Sequence, residues 1–263
     1  MYISNNSPTF CANLNSPKLN FSRKDFFIRI RGYGKNENWA DEVVKTADLA
    51  TNLIRRETSA ENVLKLITKG VFQANQNELG LEKRAKTGIL RTQRDGWKCD
   101  DGSQILTAYE SGRYKCYADR FDEIYEKPLQ APNKEIAMSR PTMYQDILHG
   151  DYRLINSSLN QVFKLCGELF PQFVKKDITK ESLPEFNSKI AEIRWILAHA
   201  TPWQRGSDAI SNVFMRAMYK AVGIKTYPLK KDISLDLEAY CTELKDYKNR
   251  FPYYFEKPPI IVE

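Results

Sequence analysis

Histidine is almost missing from this chain: His149 and His199 are all it has in 263 residues. Its five cysteines, Cys11, Cys99, Cys116, Cys166 and Cys241, are scattered and form no C-x-x-C pair. Metal centres need such ligands in clusters, so no metal site is expected, and dispersed thiols of odd number read as reduced. Long apolar runs are missing too. Nothing approaches the roughly 18 residues of a membrane span, and no cleavable-signal pattern is present. Polybasic blocks are absent: the net charge of +7, from 40 basic and 33 acidic residues, is spread through mixed-sign segments. That gives mild attraction to acidic partners and argues against a nucleic-acid binder. Acidic residues are absent from the first 22 positions, which hold five Asn, four Ser and two Pro. Such a composition buries little, and residues 1–24 are expected to be a mobile tail.

What is present is ample core material, with 42% hydrophobic and 12% aromatic residues. Ala40, Val43, Val44, Ala47, Ala50 and Ile54 recur at helical spacing. The next segment reads as a helix opened by a Thr58-x-x-Glu61 capping box and stopped at Gly70. From Trp97 to Tyr117 apolar and polar residues alternate around Asp101-Gly102 and Ser111-Gly112, which predicts a hairpin or small meander. Lys127 to Pro141 reads as a connector. Beyond it the pattern is helical: one or two helices over 142–170, and one opened by a Ser182-x-x-Glu185 box and running to about His199. Another runs from Ser207 to Val222, and a last one is capped by Ser234. The expected fold is mainly α with a small β-hairpin region. A helical and hairpin lobe spans 25–137 and a helical core spans 138–263.

Between two apolar helices lies the bend Thr201-Pro202-Trp203-Gln204-Arg205-Gly206-Ser207. The N–H groups that open a helix have no intrahelical partner and carry partial positive charge. Gly206 would let a ligand approach the backbone, Ser207 could cap or bind, and Arg205 offers a planar fork suited to phosphate. The bend therefore reads as an anion site or as a purely structural turn.

Residues 201–212, TPWQRGSDAISN, align without a gap to the Fic-family motif HPFx[D/E]GNGRxxR. Pro202, Trp203 and Gly206 match, while Thr201 stands at the catalytic histidine and Arg205 at the acidic metal ligand. Ala209 and Asn212 replace the two arginines. The stretch Pro202 to Ala209 also resembles the PxQRGSxA of AvrB-type avirulence effectors, and Asp236-Leu237-Glu238-Ala239 resembles their D-[IL]-E-A tetrapeptide. The resemblance implies a degenerate Fido core with a second lobe over a nucleotide cleft. It further implies a bacterial protein secreted into the host cytoplasm by a type III route, with the N-terminal tail as an uncleaved signal.

Its implied activity is sugar transfer from a nucleotide sugar to a hydroxyl of a host protein. The alternatives are a catalytically inactive Fido module that binds a nucleotide or a host protein, and nucleotidyl or phosphoryl transfer. Gln204, Arg205, Gly206 and Ser207 would hold the nucleotide without a metal, since a guanidinium repels a cation but binds phosphate directly. Asp236 would take the acceptor's proton or bind a sugar hydroxyl, or it serves only its helix dipole. His149 and Thr87 resemble a functional histidine and threonine upstream of the motif. Arg84, Arg91 and Arg94, around Thr87, read as a solvated face, and His199 as structural.

Overall fold

A computed structural model describes residues 19–30, 36–76, 85–95, 97–105, 115–144, 146–174 and 178–262. It is mainly helical with short antiparallel strand pairs. The long helices are α1 (Glu37–Arg55) and α2 (Ala60–Asn75), then, beyond the short α3 (Ala118–Glu126), α4 (Ile155–Val174), α5 (Leu183–Ala200) and α6 (Ser207–Ala221). Two short helices follow, α7 (Leu235–Tyr240) and α8 (Leu244–Arg250). Strand pairs are β1 (Trp97–Lys98) with β2 (Gln104–Ile105), β3 (Arg140–Pro141) with β4 (Ile147–Leu148), and β5 (Ile224–Lys225) with β6 (Ile260–Ile261). No described helix is long and apolar enough to cross a membrane.

Helix α5 is the centre of the molecule. From Ile193 to Ala200 every residue is buried, as expected of a helix surrounded by others rather than lying on a surface. It packs against α4, α6, α7 and α8. Helix α6 lies beside it and buries Ile210, Val213, Phe214, Ala217 and Met218, the face its spacing predicts. Helices α1 and α2 pack on α6, so buried side chains on both sides of the 137/138 boundary share one hydrophobic core.

Several local expectations are corrected. Gly70 does not stop a helix, because α2 continues to Asn75. A Cβ at Gly70 would stand 2.2 Å from Thr46 Oγ1, so the glycine allows α1 and α2 to cross closely. The cap of α2 is Ser59, not Thr58, and its side chain accepts from the Asn62 N–H. The Ser182 hydroxyl accepts from the Thr179 N–H at 3.0 Å rather than capping α5. The β3–β4 hairpin, Arg140 to Leu148, takes up the start of the expected helical stretch, whose helix begins only at Ile155, and the predicted last helix is broken into α7 and α8. The Asp101-Gly102 turn forms as predicted, with Gly102 at φ +82° between β1 and β2. Ser111-Gly112 lies outside the described residues. So do residues 1–18 of the expected tail, while Arg23 from its end is ion-paired with Glu37 and Asp41.

Candidate functional site

Helix α5 ends on Thr201, which adopts the left-handed conformation at φ 38° and ψ 63°. A β-branched residue is rarely found there, and the strain persists only when its surroundings over-determine it. Arg91 supplies much of that determination. Its guanidinium is buried and donates to the carbonyls of Thr201 (2.7 Å), Ala200 (2.7 Å) and Gly150 (3.0 Å) and to Gln104 Oε1 (2.8 Å). The solvated-face reading of Arg91 is therefore corrected; Arg94 is exposed, and Arg84 lies outside the described residues. Burial lowers the Arg91 pKa to about 10, which keeps it cationic at neutral pH.

The bend beyond Thr201 runs beside the segment 87–91. Gly88 N–H donates to the Arg205 carbonyl (3.1 Å), Gln204 N–H to the Ile89 carbonyl (2.8 Å) and Arg91 N–H to the Pro202 carbonyl (2.9 Å). The fold thus brings Thr87 alongside Gln204, Arg205 and Gly206, which sequence spacing alone does not. The Thr87 hydroxyl accepts from Asn75 Nδ2 (3.0 Å), and Asn75 Oδ1 accepts from the Trp39 indole (2.8 Å). Gly206 sits at φ +84°, and a Cβ there would meet Thr87 Cγ2 at 3.2 Å, so turn geometry and packing already require glycine. Ser207 Oγ donates to the Trp203 carbonyl (3.0 Å) and accepts from its N–H (3.2 Å), closing the bend on itself.

His149 joins the site from the β3–β4 hairpin. Its N–H and carbonyl each bond Gln104 at 2.8 Å, which ties this hairpin to β2. Burial first, and then the charges of Arg91 and Arg205, push the imidazole pKa down to about 3. The result is a neutral imidazole under the influence of two positive charges, with Nδ1 3.4 Å from Ser139 Oγ. The Thr201 hydroxyl donates to the Ala198 carbonyl (2.7 Å) and lies 3.3 Å from both Ser139 Oγ and the Tyr240 hydroxyl. His199 is buried behind it, its ring nitrogens against the carbonyls of Ser139 and Ala239.

Asp236 occupies the first turn of α7 and is ion-paired with Arg194, whose other terminal nitrogen holds Asp208 in the first turn of α6. Arg194 is buried, and two carboxylates share its one charge. Burial first, then repulsion from Asp236, raises the Asp208 pKa to about 7 against the attraction of Arg194. Glu238, in the same tetrapeptide, braces the fold instead, accepting from Tyr117 (2.7 Å) and from Arg120 (2.8 and 3.1 Å). Sequence reading missed Arg91, Arg194 and Asp208. For Arg194 a signal existed, since an arginine inside the largely apolar segment "IRWILAHA" needs carboxylates when buried. Among the described residues no group of three His, Cys, Asp or Glu could hold a metal ion.

The family model of AvrB_AvrC, described as avirulence protein, matches residues 106–258. The chain belongs to the AvrB_AvrC family. The match covers α4 to α8 with the bend, and therefore Arg205, Asp208 and Asp236, while Thr87 and Arg91 fall before it. No curated protein matches the chain. Membership makes it an avirulence effector, with a host protein as the expected partner.

Proposed function

We propose that this AvrB_AvrC member acts inside the host cell as a nucleotide-dependent transferase, moving a sugar from a nucleotide sugar to a host-protein hydroxyl. The observation that carries this reading is the electropositive cluster at the start of α6. Arg205 stands in the bend beside Gly206, and the buried Arg91, whose guanidinium is engaged by the Ala200 and Thr201 carbonyls, adds positive charge behind the same bend. Such a site favours a diphosphate, whose charge grows as it departs, and needs no cation to do so. In the transfer, the C1–O bond from sugar to diphosphate breaks and a C1–O bond to the acceptor forms. The acceptor's proton passes to a carboxylate, for which Asp236 is the candidate. Its Oδ1 is engaged by Arg194, and its Oδ2 has no hydrogen bond within the described residues.

A second reading, a module acting by occupancy alone, is favoured by Thr201. Its hydroxyl is bonded to backbone where a Fic enzyme carries its base. The same residue counts against nucleotidyl transfer. Mass spectrometry of host proteins co-expressed with the wild type, Arg205→Ala and Asp236→Asn decides between the two. A mass shift of one sugar residue present only with the wild type supports transfer. A full host response from Asp236→Asn, with no shifted target in any sample, supports occupancy.

A further inference from the structure

Two cavities, of about 310 and 530 Å³, share Glu61 and Phe163 in their walls and so form one groove between α2 and α4. The α4 wall is a stripe at helical spacing, Leu159, Phe163, Cys166 and Phe170, with Asn156 at one end and Pro171 at the other. The helical rise from Asn156 to Pro171 makes the stripe about 22 Å long, or about four turns. Ala60 and Leu64 face it from α2. Leu90 and Trp203 extend the apolar lining to the edge of the bend.

Gly167 lies within this stripe. A glycine inside a helix is destabilising relative to alanine, so it needs a reason. Gly70 has one in its close contact with Thr46. Gly167 has no positive φ, and a Cβ there would meet nothing within 4 Å among the described residues. The space above it is therefore open to a body from outside the chain. Pro171 stands one turn further on and has no N–H to give the Gly167 carbonyl. An acceptor without its regular helical donor is thus left at the same end of the groove as Glu57 and Glu61.

Charge and backbone chemistry narrow the occupant. The charged lining is Glu57, Glu61 and Lys65, the lysine being paired with Glu61 at 2.7 Å, so the groove is net negative on a chain of net charge +7. The rings of Phe163 and Phe170 stand at the same end, and ring faces also attract a cation. The far end carries the uncharged Thr68, Asn156 and Asn160. Both walls are helices with their backbone bonds inside their own ladders, so an extended peptide would find no strand to pair with. A helix satisfies its own backbone and needs only an apolar face.

We propose that the α2–α4 groove docks an amphipathic helix of a host protein, about four turns long, with its apolar face over Leu64, Leu159 and Gly167 and a basic residue against Glu57 and Glu61. The groove uses neither Arg205 nor Asp236, so this inference is independent of the transfer reading.

The test titrates the full chain, carrying ¹³C-methyl leucine, with a capped peptide of Leu and Ala in amphipathic helical spacing and a pair of Lys at one end. The expected result is a saturable shift of Leu64, Leu90 and Leu159, while Leu197 and Leu235, buried elsewhere in the core, stay still. Gly167→Trp places its ring in open space, so it should unfold at the wild-type temperature and abolish the shifts. Exchanging the Lys pair for Glu should weaken binding at least tenfold, and Glu57→Gln with Glu61→Gln should erase that preference. Silence of the groove leucines, equal shifts with a scrambled peptide, or shifts that survive Gly167→Trp overturn the assignment. A dimer in sedimentation equilibrium that Gly167→Trp dissociates gives the groove to a second copy and also overturns it. In host cells, Gly167→Trp should lose the response while calorimetry with UDP and GDP matches the wild type. A folded Gly167→Trp with an undiminished response removes the docking role. Absence of nucleotide binding in the wild type, with the leucine shifts intact, removes the transfer reading and keeps the groove.

Discussion

Arg91 Nε meets the carbonyl oxygen of Thr201 at 2.7 Å, joining two residues that are 110 positions apart. The same guanidinium reaches the neighbouring Ala200 carbonyl, so it holds the last turn of α5 and the first peptide of the bend together. Arg91→Ala would leave several buried oxygens without donors. A loss of about 2–4 kcal/mol in urea unfolding is expected, from unsatisfied groups each costing roughly 1–3 kcal/mol. Arg91→Lys should recover little of it, since an ammonium cannot span the same acceptors. A loss below about 0.5 kcal/mol for Arg91→Ala would contradict this role.

Thr201 sets strain against hydrogen bonding. Thr201→Gly relieves a left-handed backbone worth roughly 1–2 kcal/mol and forfeits a hydroxyl bond of roughly 1 kcal/mol, so its net effect should be near zero. Thr201→Val keeps the strain and loses the bond, and should cost about 1–3 kcal/mol. Thermal unfolding of both variants checks the order, glycine above valine.

The Asp208 pair gives a pH signature. Its folded pKa is raised from an ordinary 3.8 to about 7, so the folded protein binds the proton more tightly than the unfolded chain. Its contribution is therefore present at low pH and lost as pH rises through about 4 to 7. Asp208→Asn should flatten the decline, by about 1 kcal/mol or more between pH 5 and pH 8 relative to wild type. Urea titrations at several pH values measure it, and an unchanged slope would exclude a raised Asp208 pKa as the source of the decline.

Nucleotide binding should depend on Arg205. Charge-assisted hydrogen bonds are worth about 1.5–3 kcal/mol, so Arg205→Ala should weaken nucleoside diphosphates roughly 10- to 150-fold in calorimetry. Because basic Arg205 aligns in sequence with the acidic metal ligand of the Fic motif, the proposed function predicts that EDTA leaves both binding and any transfer unchanged. Loss of transfer on chelation, restored by Mg²⁺, would overturn the direct guanidinium–phosphate reading.

Much of this arrangement can be read from sequence where periodicity or turn chemistry is strong. Helix α6 and its buried face follow from Ile210, Val213, Phe214, Ala217 and Met218, and the Asp101-Gly102 turn follows from the need for positive φ. The short segment "DILHGD" misleads because it is embedded in helical texture, whereas tertiary pairing with Gln104 draws it into a hairpin edge. Gly70 misleads for another reason: a glycine that ends a helix and one that lets two helices touch look alike along the chain. Long-range partnerships are the least legible. Nothing adjacent to Thr87 announces Arg205, and Asp236 gives no local hint of Arg194, whose side chain also holds Asp208.

The pairing of segment 87–91 with the bend also dictates when the site can exist. Its bonds close loops of more than a hundred residues, so chain entropy opposes them until most of the core has already condensed. A chain still extended, or one truncated before residue 200, has no bend held by Arg91. Competence therefore arrives with the final stage of folding, and a refolding chain should regain helicity before it regains any affinity that depends on Arg205.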